Sequence, residues 1–160
     1  MEIYLDNSAT TKVCPEAVNE MTETLMHSWG NPSSLHKKGV EASRVLENAR
    51  LRLARAFSCS PDEVYFTSSG TTANNTAIFG AVYANRRRGN RIVTSSLEHP
   101  SVNEAMKRLE EQGFEVIRLR PDKFGRFSLN DLYSVINKNT ILVSIMMVNN
   151  ELGTINPVQN

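Results

Sequence analysis

Three short stretches of this sequence carry residues able to hold a small ligand. Thr67-Ser68-Ser69-Gly70-Thr71-Thr72 is small, hydroxylated and contains a glycine. Exposed N–H groups at a helix start, with hydroxyls beside them, make a phosphate cradle. The same residues could serve only as a hydroxyl-rich helix cap. No lysine follows Gly70 at P-loop spacing. In Leu97-Glu98-His99-Pro100, the His99 ring could stack on a planar ligand, shuttle protons or be structural. In Asn149-Asn150-Glu151, the two amides could cap the next turn or bond the polar edge of a ligand. Glu98 and Glu151 are a candidate carboxylate pair that nothing in the sequence sets face to face. Cys14 and Cys59 form neither a C-x-x-C pair nor a disulfide framework and read as incidental.

Elements must bring these stretches together. Glu63–Thr67, Arg91–Ser95 and Phe114–Leu119 read as short strands. Thr140–Val148 is a nearly unbroken apolar run, the pattern of a strand buried on both faces. Between them, Thr71–Arg88 has helical spacing. Val102, Ala105, Met106 and Leu109 do too, with Pro100 suited to the first turn and Gly113 to the stop. Ser128, with Asp131 three residues on, predicts a cap for a helix through Leu132 and Ile136. Alternating strand and helix implies an α/β fold with a mainly parallel sheet. In such sheets ligands bind beyond the carboxyl ends of the strands, so all three stretches should share one rim. Earlier in the chain, Glu16–His27 and Val40–Phe57 read as helices, the second with Leu46, Ala49, Leu53 and Phe57 as its core face. Residues 1–14 read as an extended lead segment.

Composition excludes several other classes. The chain has 160 residues, 40% hydrophobic and 22% charged, with net charge +1. That is ordinary for a globular domain and gives no field for nucleic acid or an acidic membrane. Arg86-Arg87-Arg88 reads as a solvated helix end. No apolar run approaches the ~20 residues needed to span a bilayer. Met1–Asp6 does not resemble a signal peptide. The expected location is cytoplasmic.

Taken together, the motifs resemble those of cysteine desulfurases, in the class V aminotransferase group. Tyr4-Leu5-Asp6-Asn7-Ser8-Ala9-Thr10-Thr11 resembles the family's opening signature. Gly30-Asn31-Pro32-Ser33-Ser34-Leu35-His36 is similar to its G-N-P-S-S-x-H loop, and Phe66 to Asn75 to its F-T-S-G-G-T-E-S-N-N phosphate loop. Glu98-His99 resembles its E-H pair, and Ser144 to Pro157 its S-x-M-x-V-N-N-E-x-G-x-x-x-P stretch. The resemblance implies a three-layer α/β fold, as in the large domain of fold-type I pyridoxal 5'-phosphate enzymes, but incomplete. Residues 1–14 would lie on the small-domain side, and residues 15–160 would be the N-terminal part of the cofactor-binding large domain. It implies a reaction that takes sulfur from L-cysteine, leaves L-alanine and passes sulfur to an acceptor protein for iron–sulfur or thio-cofactor assembly. By position, Gly70 and Thr71 would bind the cofactor phosphate, His99 would stack on the pyridine ring and act in catalysis, and Asn150 would bond the ring's hydroxyl side. Asn31 and His36 would help shape the active-site and dimer region.

Two positions depart from the pattern: Ser69 replaces a usual glycine, and Thr72 a usual glutamate. Other parts of the family pattern do not occur in these residues. Lys107, Lys123 and Lys138 stand outside any S-x-H-K context, so none is the Schiff-base lysine. The persulfide cysteine loop is likewise not present in these residues. By itself this chain is expected to bind pyridoxal phosphate weakly and to turn over no cysteine. It would act as part of a homodimer or with a complementing C-terminal polypeptide. The alternatives are a non-catalytic interaction module, a segment of a selenocysteine lyase, or a segment of another class V transaminase.

Overall fold

The computed structural model describes residues 3–158. Residues 1, 2, 159 and 160, the outer ends of the expected division into 1–14 and 15–160, lie outside the described residues. The chain divides into two compact units, one up to Phe66 and one from Thr67.

The first unit holds helix α1 (Pro15–His27), helix α2 (Lys37–Phe57) and a 3-10 turn at Pro61–Glu63. Pro15 opens α1, where its missing N–H costs nothing. The α2 helix starts three residues before the expected Val40, because the His36 ring accepts the Gly39 N–H at 3.4 Å. Its expected core face is corrected. The buried positions are Gly39, Ala42 and Ala54, while Ala49 and Leu53 are exposed and Phe57 is 75% exposed. Small residues thus line the packed stripe, and of the expected large residues only Leu46 is half-buried. The expected strand at 63–67 is also corrected. Val64 is extended, but its carbonyl accepts from the Arg50 guanidinium, which also sits over the Phe66 ring. A side chain takes the carbonyl that a partner strand would need.

The second unit is a parallel three-stranded sheet in the order β2-β1-β3. The strands are β1 (Arg91–Ser95), β2 (Glu115–Leu119) and β3 (Thr140–Ser144). Helices α3 (Gly70–Asn85) and α4 (Pro100–Glu111) cover one face, packing Ile78, Val82, Val102, Ala105, Met106 and Leu109 on Ile92. Helix α5 (Leu129–Val135) covers the other, with Leu132 and Val135 beside Val93, Leu119 and Phe127. The three layers follow from alternation along β1, where Ile92 and Val93 point to opposite faces. Each large side chain buried here stabilises by about 1.5–3 kcal/mol. The predicted punctuation holds: Pro100 opens α4, Gly113 ends it at φ +91°, and Ser128 caps α5 by accepting the Asp131 N–H at 3.4 Å.

The run 140–148 differs from expectation. Its strand ends at Ser144 and lies at a sheet edge, with Val143 42% exposed. The strand buried on both faces is β1, whose last four residues are all buried. Continuous apolarity does not separate a central strand from an edge strand whose outer side is left uncovered. Beyond Ser144 the chain turns back on itself: Val148 bridges Ile155 antiparallel, and the Asn149 N–H donates to the Thr154 carbonyl at 2.9 Å. No described helix is long and apolar enough to cross a membrane.

Candidate functional site

The phosphate-cradle stretch lies where the chain enters α3. Ser69 is extended and its side chain accepts the Thr72 N–H at 3.1 Å, while its carbonyl takes the Ala73 N–H at 3.0 Å. Two donors at the helix start then remain, Gly70 and Thr71, and neither meets an acceptor among the described residues. A Cβ added at Gly70 would meet nothing within 4 Å. The packing of this chain therefore does not demand a glycine there. The two N–H groups without an acceptor carry the positive end of the helix dipole. The two departures from the expected loop pattern are each other's partners, with Ser69 Oγ and Thr72 Oγ1 3.1 Å apart.

His99 is the residue before α4. Its Nδ1 accepts the Ser101 N–H at 3.1 Å and lies 2.8 Å from Ser101 Oγ. The exposed imidazole belongs to the walls of two clefts. One also holds Thr71, Asn75, Ser101 and Arg108; the other holds Leu97, Glu98, Asn149 and Asn150. The histidine thus stands between the α3 start and the amide loop, all at the carboxyl ends of the strands.

The two asparagines divide the alternatives left open by the sequence. Asn149 is buried; its Nδ2 donates to the Leu97 carbonyl at 3.0 Å, and its Oδ1 accepts the Glu151 and Leu152 N–H groups at 3.0 and 2.8 Å. Asn149 therefore builds the turn, and the exposed Asn150 is the amide presented to the cleft. Glu98 and Glu151 both line that second cleft, but they are engaged differently. Glu98 Oε1 is buried, accepting from the Ser95 hydroxyl at 2.5 Å and the Met146 N–H at 2.9 Å, whereas Glu151 is exposed. Glu98 ties the end of β1 to the segment after β3. Asn31 and His36, in the first unit, are engaged locally: Asn31 Oδ1 accepts the Ser33 N–H at 2.9 Å, and His36 caps α2.

Residues 3–160 match the family of class-V aminotransferases. The chain belongs to this family. Among curated relatives, this class-V chain is 50% identical to a NifS/IcsS protein homolog of Lactobacillus delbrueckii subsp. bulgaricus, over 98% of this chain and 41% of the relative. It is 45% identical to the cysteine desulfurase IscS of Methanosarcina thermophila, over 98% of this chain and 39% of that protein. It spans about two-fifths of the curated relatives it matches. Among solved structures, a NifS-like protein superposes with TM-score 0.94 at 39% identity, covering 99% of this chain and 43% of that one. A structure titled SspA in complex with cysteine gives 0.90 at 33% identity, covering 98% and 45%. The three-layer parallel fold is therefore that of the NifS-like enzymes, in part.

Asn74 and Asn75 close the Phe66–Asn75 motif, but sequence reading assigned them no role in holding this class-V rim together. Asn74 Nδ2 donates to Ser101 Oγ at 2.8 Å, and Asn75 Nδ2 donates to the Thr71 carbonyl at 2.8 Å and the Ser101 carbonyl at 3.4 Å. Their partners are up to 27 residues away, and no local pattern marks such pairs.

Proposed function

We propose that the chain is the N-terminal segment of a pyridoxal 5'-phosphate-dependent cysteine desulfurase. The larger protein converts L-cysteine to L-alanine and hands sulfur to an acceptor protein for iron–sulfur cluster or thio-cofactor assembly in the cytoplasm. It works as a homodimer or with a complementing C-terminal polypeptide. In this reading residues 1–14 belong to the small-domain side, and residues 15–160 form the N-terminal part of the large domain. The observation that carries the reading is His99 standing in the walls of both clefts, with Thr71 in one and Asn150 in the other. A flat, phosphorylated heteroaromatic ring matches that order of groups. The relatives support the substrate: several are cysteine desulfurases, and one matching structure is titled as a complex with cysteine.

The residues present fit the cofactor, because a Cβ at Gly70 meets nothing within 4 Å and the Gly70 and Thr71 N–H groups have no acceptor among the described residues. Gly70 and Thr71 N–H groups, with the Thr71 hydroxyl, would hold the phosphate. His99 would lie against the ring and hold a proton at Nε2, and Asn150 would bond the hydroxyl side. The chemistry the cofactor supplies when bound is an electron sink for the amino-acid substrate. Asn149, Glu98 and Ser69 act on the site only by fixing these groups.

Equilibrium binding of pyridoxine 5'-phosphate tests the reading, since that ligand has no aldehyde to react with surface lysines. Saturable binding that inorganic phosphate competes away is expected, about twofold to tenfold weaker in His99→Ala, the scale of a lost stacked ring contact. Equal affinity of wild type and His99→Ala would overturn it.

A further inference from the structure

We propose that Asn74 and Ser101 are positioning residues for His99, forming a hydrogen-bonded chain that fixes which ring nitrogen carries the proton. Because the Ser101 N–H donates to His99 Nδ1 at 3.1 Å, that nitrogen has a lone pair and no hydrogen. Ser101 Oγ, 2.8 Å from the same nitrogen, then donates its own proton to it. The Ser101 oxygen is in turn satisfied by Asn74 Nδ2–H at 2.8 Å. Protons thus point one way along the chain, from Asn74 through Ser101 to Nδ1. The neutral imidazole carries its hydrogen on Nε2, the nitrogen left to the clefts.

The burial pattern supports a positioning role. Ser101 is 8% exposed and Asn74 is half-buried, whereas the ring they hold is exposed. A buried hydroxyl flanked by one donor and one acceptor has a single favourable rotor setting. Asn75 adds a second tie, joining the Thr71 and Ser101 carbonyls. The α3 start and the imidazole are therefore held to each other through two consecutive asparagines, and the spacing between anion cradle and ring does not depend on a ligand.

This inference rests on the reading of His99 as the ring partner, but its test needs no cofactor. The chain is labelled with 15N-histidine, and the His99 ring nitrogens are observed by NMR at alkaline pH, where the imidazole is neutral. The expected wild-type signature is Nε2–H. Ser101→Ala should raise the Nδ1–H fraction about threefold to tenfold, the change that one hydrogen bond is worth. Ser101→Thr keeps the hydroxyl and should match wild type. Asn74→Asp places an acceptor where a donor stood, turns the Ser101 proton away from the ring and should shift His99 as Ser101→Ala does. An Nδ1–H wild type, or ring shifts unmoved by both Ser101→Ala and Asn74→Asp, overturns the proposal. Should Ser101→Ala fail to fold, Asn74→Asp alone decides. Pyridoxine phosphate binding on the same samples separates the two readings. A fixed Nε2–H ring without binding sinks the functional one only, and binding with an Nδ1–H ring sinks only this one.

Discussion

Two helices begin side by side at one rim of this sheet, and they begin in opposite ways. At α3 the cap takes the Thr72 and Ala73 N–H groups, leaving those of Gly70 and Thr71 without an acceptor among the described residues. At α4 every early donor is removed or used. Pro100 has none, the Ser101 N–H goes to the His99 ring, and the Val102 and Asn103 N–H groups go to the His99 carbonyl at 2.9 and 3.1 Å. The difference shows how one local device, a helix start at the sheet rim, can serve two purposes. An open start offers its dipole and donors to an anion; a closed start spends them on aiming a side chain.

The largest expected effect comes from closing the open start. Gly70→Pro gives α3 the same first residue as α4. Ser69 is already extended (φ −163°, ψ 162°), the conformation a following proline requires. One charge-assisted hydrogen bond is lost, so pyridoxine phosphate affinity should fall about tenfold to a hundredfold with little change in melting temperature. Calorimetric titration and thermal scans on the same sample check both halves. An intact affinity would mean that the Gly70 donor is not used.

Loosening the open start is the next step down. Ser69→Ala removes the cap on Thr72 and the hydroxyl contact with Thr72 Oγ1. It should cost about 1 kcal/mol in urea unfolding. The smallest effect separates rim from frame. Hydrogen bonding to Arg118 and Arg91 holds the Glu110 and Glu115 carboxyls below their ordinary range, and backbone N–H groups of Arg126 and Phe124 do the same for Asp122. Depressed folded values mean stability that is present above the ordinary carboxylate range, about pH 4, and lost as the pH falls below it. Melting temperature should therefore hold steady from neutrality to about pH 5 and then decline. Glu115→Gln should flatten part of that decline, and an identical acid profile would remove Glu115 from the account.

Much of the frame was legible because local signals decide it. Pro100, Gly113 and Ser128 sit at the helix ends where their chemistry is useful, and the sheet came out parallel as strand–helix alternation required. What failed depended on neighbours that a linear pattern does not contain. Glu63–Thr67 has strand-forming residues, but Arg50 takes the Val64 carbonyl. Thr140–Val148 has the composition of a buried strand, but its outer side meets no further strand among the described residues. For the candidate site, the family resemblance proposed Gly70, Thr71, His99 and Asn150, whereas the residues by themselves left Asn149 and Asn150 as equal alternatives. Both are amides after a strand, and only the turn geometry sends one inward to Leu97.

Far from this rim, Arg91 opens β1 with its guanidinium bonded to both Glu115 oxygens, at 2.8 and 2.7 Å, and to the Val135 carbonyl at 2.9 Å. One side chain thereby rivets three elements at the amino end of the strands. That tie lies eight residues before His99, at the opposite end of β1. Changes at the carboxyl rim leave these three hydrogen bonds untouched. The Ser69 and Thr72 pair is such a change: a local rewiring at the α3 start, with its hydrogen bond made within the loop itself.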